Sequence, residues 1–135
     1  MKNIVIYWSG TGNTTVMAQE IAEGMGAELY TVSDFNGNLA DYDKIAFGCS
    51  AMGDEVLEEA EFEPFYTAME PELRGKKVAL FGSYGWGDGQ WMREWYDRAS
   101  KAGLNVFDEG LMVCGFPDPD AKANCKKYGE AFANY

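Results

Sequence analysis

The chain contains no histidine. Its absence removes the commonest general base and metal ligand, and with it Ser/His and Cys/His catalysis. Basic residues are scarce as well, 11 against 22 carboxylates for a formal charge of -11. Contacts to nucleic acid or an anionic membrane need Lys and Arg, so neither is expected as a partner. A basic protein surface suits such a chain better. The three cysteines, Cys49, Cys114 and Cys125, form no C-x-x-C pair, which argues against a disulfide framework or a zinc site. Cys49 and Cys114 both follow apolar strand-like runs and are expected to be buried packing residues. No apolar run approaches the roughly 20 residues of a membrane span. A strand begins at once, leaving no room for a signal peptide, so a soluble cytoplasmic protein is expected.

At 135 residues, 47% of them hydrophobic, the chain can bury a continuous core. Apolar runs recur at Ile4–Trp8, Leu29–Val32, Ile45–Cys49, Val78–Phe81 and Asn105–Val113, the last interrupted by Gly110. IVIYW and VALF read as strands buried on both faces, as a parallel sheet requires. Helical stretches lie between them. The first is capped by Asn13, carries Val16, Met17, Ile21 and Met25 on one side, and stops at Gly26. Others run near Phe62–Met69, before Pro71, over Gln90–Ala102, before Gly103, and over Asp120–Ala133, after a Pro117/Pro119 turn. Trp91 and Trp95 are expected to face the core. The alternation predicts an α/β fold, a single doubly wound five-stranded parallel sheet with helices on both faces. Residues 1–135 then form one domain.

In such sheets ligands bind beyond the carboxyl ends of the strands. Three loops fall there. The first, Ser9-Gly10-Thr11-Gly12-Asn13-Thr14, leads into a helix whose free N–H groups and dipole favour an anion. It lacks the lysine of a G-x-x-x-x-G-K-[ST] loop, and it is not G-x-G-x-x-G because Thr15 stands at the last position. No Lys or Arg occurs between Asn3 and Asp43, so neutral donors suit a monophosphate better than a triphosphate. The second loop, Ser50-Ala51-Met52-Gly53-Asp54-Glu55, has a tight-turn composition. Six carboxylates lie between Asp54 and Glu63, most of them read as a solvated helix start, with no rigid spacing for a metal. In the third, Gly82-Ser83-Tyr84-Gly85-Trp86-Gly87, two aromatics among glycines either cover something flat or fold back onto the protein. Their shared edge with the first loop favours a planar ligand carrying a phosphate.

These three loops, SGTGNT, CSAMGDE and GSYGWG, closely resemble those of the short-chain flavodoxins, small FMN-binding electron carriers, and the likeness runs through the whole chain in order. The resemblance implies the strand order 2-1-3-4-5 for the sheet and FMN as cofactor. Ser9, Gly10, Thr11, Gly12, Asn13 and Thr14 would enclose its phosphate without a basic side chain. Ser50, Ala51, Ser83 and Tyr84 would complete the site. Met52 would lie on the inner flavin face and Trp86 on the outer one. Glu55 would accept from the flavin N3–H, and the Gly85 and Gly87 backbone would approach the pyrimidine edge. The Gly53–Asp54 peptide would reorient on one-electron reduction, so that the Gly53 carbonyl accepts from N5–H of a neutral semiquinone, a bond worth about 1 kcal/mol or more. A carboxylate ~10 Å away disfavours the second electron by about 1.7 kcal/mol at an effective dielectric near 20. That lowers the potential by roughly 70 mV.

The implied function is low-potential one-electron transfer on the semiquinone/hydroquinone couple, by a monomer that shuttles between redox enzymes with basic docking surfaces or ferredoxin-like partners. The alternative on the same fold is an FMN-dependent NAD(P)H:quinone oxidoreductase, for whose nicotinamide site 135 residues leave little. A phosphate-switched receiver would need acids where Trp8-Ser9 and Ser50-Ala51 stand, and a cysteine phosphatase a C-x₅-R first loop.

Overall fold

The computed structural model describes residues 2–52 and 55–135. Strands β1 (Asn3–Trp8), β2 (Glu28–Thr31), β3 (Lys44–Cys49) and, later in the chain, β6 (Lys77–Tyr84) pair in parallel in the order β2-β1-β3-β6. Two short strands, β4 (Ala51–Met52) and β5 (Val56–Leu57), form a separate antiparallel ladder beyond β3. The fifth position of the main sheet is divided. Its first part, β7 (Asn105–Val106), pairs with Lys77 and Val78, and its second, β8 (Leu111–Cys114), pairs with Phe81 to Tyr84. The 2-1-3-4-5 order that the resemblance implies is therefore the observed one. The break falls at the glycine that interrupts the run. Asp108 and Gly110 both take positive φ, 52° and 92°, and an added Cβ at Gly110 would lie 2.6 Å from the Met92 sulfur. Phe107 turns inward there and packs with Tyr128, Phe132 and Tyr135 at centroid distances of 5.1–5.4 Å.

Alternation along the central strands makes two cores. Ile4, Ile6, Ile45, Phe47, Val78 and Leu80 face α2 (Phe62–Met69) and α3 (Gln90–Lys101), meeting Phe62, Tyr66, Trp91 and Trp95. Val5, Ala46, Ala79 and Phe81 face α1 (Asn13–Met25) and α4 (Pro119–Ala133), meeting Met17, Ile21, Cys125 and Phe132. Both faces are covered, which is why the strands read as unbroken apolar runs. Trp91 and Trp95 are core residues, as their spacing predicts. Gly24 and Gly129 let α1 and α4 touch backbone to backbone, since an added Cβ at either would collide with a carbonyl oxygen of the other helix. No helix among the described residues is long and apolar enough to cross a membrane.

Three local expectations need correction. Asn13 does not cap α1. It is the first helical residue, and the cap position belongs to Gly12, whose φ of 96° suits glycine. Val16 is only half-buried; the buried stripe runs Thr14, Met17, Ala18, Ile21, Ala22, Met25. Cys114 is exposed, while Cys49 and Cys125 are buried. Cys114 and Met112 fall on the same, more exposed side of β8, an outer strand of the sheet.

Candidate functional site at the carboxyl edge of the sheet

A cleft of about 200 Å³ opens where the loops after β1, β3 and β6 converge. The first loop contributes Gly10, Thr11 and Asn13, the second Ser50, Ala51 and Met52, and the third Ser83, Tyr84 and Gly85. Gly115, which the sequence reading passed over, completes the wall from the end of β8. The rule that ligands sit beyond strand ends would have found it had it been applied to the fifth strand too. A larger and shallower depression at the opposite edge is lined by Lys44, Lys76 and Lys77. Those ammonium groups are taken up by carbonyls: Lys44 donates to Ala133, Lys76 to Ala40 and Tyr42, and Lys77 to Tyr135.

Among the described residues, the other sequence-predicted positions lie around the cleft rather than in its lining. Ser9 Oγ accepts from the Gly12 N–H at 3.0 Å and so folds the first loop into a turn. Thr14 lies beneath the floor, fully buried. Its Oγ1 is 2.8 Å from Ser50 Oγ and 2.9 Å from Ser83 Oγ, and it accepts from the Ser83 N–H at 3.2 Å. One hydroxyl on α1 thus ties the ends of β3 and β6 to the start of the helix. Trp86, 67% exposed, and Met52, 40% exposed, present large apolar surface to solvent near the mouth. Tyr84 is half-buried, packing against the first core while lining the cleft, whereas Trp86 stands exposed. Gly53 and Asp54, and the peptide between them, lie outside the described residues.

Two carboxylates of the acidic stretch have built roles that its composition hid. Glu58 is buried and accepts from the N–H groups of Ala60, Glu61 and Phe62 at 2.7, 2.7 and 2.9 Å, closing the amino end of α2. Burial pushes its carboxyl up, but the three N–H bonds together hold it below the usual carboxylate range. Glu55 reaches across to α3, accepting from Gly89 and Gln90 N–H at 3.1 and 3.2 Å. Beneath the second loop, burial pushes the Cys49 thiol up to about 12, which makes it an inert packing group.

The donor set fits a phosphate attached to a flat ring. The first turn of α1 carries neither a side-chain cap nor an acidic residue, so its amides are available to an anion. Among the described residues no cation lines the cleft, and the side-chain donors there are hydroxyls and an amide. At Gly12 and Gly85 an added Cβ would meet nothing within 4 Å, so the backbone there is open to close approach. Fold and site together define a doubly wound α/β protein that holds a phosphorylated planar cofactor through neutral donors at its switch point.

The comparisons narrow that class. The family model described as Flavodoxin matches residues 5–129. The chain is 50% identical over 136 residues to a flavodoxin of Clostridium beijerinckii, covering 96% of this chain and 98% of the relative. It is 45% identical to the flavodoxin of Megasphaera elsdenii, covering 96% of each. The solution structure of two-electron reduced Megasphaera elsdenii flavodoxin superposes with a TM-score of 0.85 at 42% identity, covering 98% of this chain and 99% of that one. A flavodoxin from the domain Archaea gives 0.89 at 27% identity, covering 99% and 97%. The chain belongs to the flavodoxin family. Its cofactor is FMN, and it carries electrons to redox enzymes rather than catalysing a reaction of its own. The quinone reductase alternative is not favoured.

Proposed function

We propose that residues 1–135 act as one FMN-binding domain, a cytoplasmic monomer that transfers electrons singly at low potential to partners with basic docking faces. The observation that carries the reading is the cation-free cleft over the uncapped start of α1. There the Gly10–Asn13 backbone and the hydroxyls of Ser9, Thr11, Ser50 and Ser83 bind the phosphate, with Thr14 acting from below. Met52 and Trp86 shield the two ring faces from water, and Tyr84, Ala51 and the Gly85 and Gly87 backbone bound the ring. Bound FMN supplies the redox chemistry. The chain sets its energy by withholding positive charge: an electron added beside an uncompensated phosphate in a field of carboxylates is held weakly. Exposed Glu59, Glu61, Asp88 and Asp118 on the loops at the same edge would steer a basic partner toward the cleft.

The test is an anaerobic reductive titration of the FMN-reconstituted protein followed by visible absorbance. A long-wavelength band that rises and then falls is the expected result. Direct bleaching from yellow would overturn one-electron transfer, and failure to retain FMN would overturn the whole reading.

A further inference from the structure

Glu55 is one of two non-glycine residues among those described with a left-handed backbone, at φ 58°. Such a conformation persists only where the surroundings hold it. Here a single oxygen of the side chain does so. Oε1 accepts from Gly89 N–H and Gln90 N–H, the opening amides of α3, and the helix has no side-chain cap of its own because its cap residue is glycine. The carboxyl group rests flat on the Gly87 backbone, since an added Cβ there would collide with Glu55 Cδ. Gly87 itself sits at φ 91°, one residue from exposed Trp86. On the other side, Val56 pairs with Met52. The carboxylate therefore spans from the loop that bears Met52 to the loop that bears Trp86.

We infer that Glu55 is a positioning residue, a staple that joins these two loops and sets the width of the ring slot before any cofactor arrives. Both hydrogen bonds fall on Oε1, so Oε2 is the oxygen left for the ring N–H that the resemblance assigns to Glu55. Ring binding and the first turn of α3 then share one side chain, and each stabilises the other. The ring as occupant rests on the functional reading above; the staple is a property of the free protein.

The experiment is backbone amide exchange by NMR on FMN-free protein, comparing wild type with Glu55→Ala, Glu55→Gln and Gly87→Ala. Removing a hydrogen bond to a charged acceptor should speed exchange at Gly89 and Gln90 about tenfold or more, with Trp95 and Ala99 deeper in α3 unchanged. Glutamine keeps an oxygen acceptor and should restore most of the protection. Gly87→Ala should also speed exchange at Gly89 and Gln90, because the added methyl takes the place of the carboxylate and strains a backbone held at φ 91°. A second arm measures binding of lumiflavin, which has the ring and no phosphate, and of inorganic phosphate. The staple requires weaker lumiflavin binding in Glu55→Ala and Gly87→Ala with phosphate binding unmoved. Unchanged exchange at Gly89 and Gln90 overturns the proposal. So does faster exchange with unchanged lumiflavin binding in Gly87→Ala, which would leave Glu55 a local cap. A wild-type protein that retained no FMN would sink the functional reading instead, with the exchange data still deciding the staple.

Discussion

Replacing Glu58 tests whether the start of α2 is held by a buried carboxylate. In Glu58→Ala, three N–H groups at the start of α2 lose their acceptor at once. A bond to an ionised acceptor contributes about 1.5–3 kcal/mol, less what water entering the vacated space restores, and the whole cap then comes to about 3 kcal/mol. Glutamine can still accept from Glu61 and Phe62 through its oxygen but sets an NH₂ group against the Ala60 N–H, so about half that loss is expected. The sign with pH follows from the depressed folded-state value. The stabilisation is complete above the ordinary carboxylate range, near pH 4.3 for an unfolded glutamate, and is lost as pH falls through the lower value of the folded protein. Urea unfolding of FMN-free wild type, Glu58→Ala and Glu58→Gln at pH 7, repeated in steps toward pH 3, reads both effects. Wild type and Glu58→Gln should converge in acid. A loss below about 0.5 kcal/mol for alanine, within the range of an ordinary surface change, would refute the reasoning, as would a glutamine deficit that ignores pH.

Other outcomes follow from single contacts. Thr14→Val should cost about 2 kcal/mol in unfolding free energy because the Ser83 N–H loses its acceptor, while Thr14→Ser stays within about 1 kcal/mol. Gly82→Ala should fold poorly or not at all, since its Cβ would strike the Cys49 carbonyl and lie 2.6 Å from the Trp91 ring; soluble yield and near-UV dichroism would show it. A thiol reagent should titrate one cysteine, Cys114, in the native protein at pH 8. Cys49 and Cys125, raised by burial to about 12 and about 11, should react only after denaturant is added. Electron transfer to a partner with a basic face should slow as salt rises from 0.05 to about 0.5 M, and indifference to salt would remove the charged docking face.

Much of this molecule can be read from local pattern. Strands β1, β3 and β6 announce themselves because both faces are buried, so no polar alternation dilutes the signal. The three loops declare themselves through glycine and hydroxyl density at strand ends. What escapes is any role that depends on a partner distant in sequence. Glu55 and Glu58 stand in one acidic run and look alike, yet one serves a helix more than 30 residues on and the other the helix beside it. Cys49 and Cys114 both end apolar strands, yet the thiol on the interior strand β3 is buried and the one on the outer strand β8 is exposed. Thr14 reads as one more loop hydroxyl, whereas the helix turns it under the floor.

That buried threonine has a consequence in protons rather than distances. The cluster of Thr14, Ser50 and Ser83 owns three hydroxyl hydrogens but only two short oxygen pairs, 2.8 and 2.9 Å, the third pair being 3.5 Å apart. The threonine oxygen already receives the Ser83 N–H, which leaves it one lone pair, so it must give to one serine and take from the other. Whichever serine it gives to keeps a hydrogen outside the two short pairs, which can turn to the other serine at 3.5 Å or into the cleft that both serines line. The direction of the chain can reverse by rotation of three hydroxyls with no heavy atom moving. An acceptor arriving beside Ser50 sets it one way, and one beside Ser83 sets it the other.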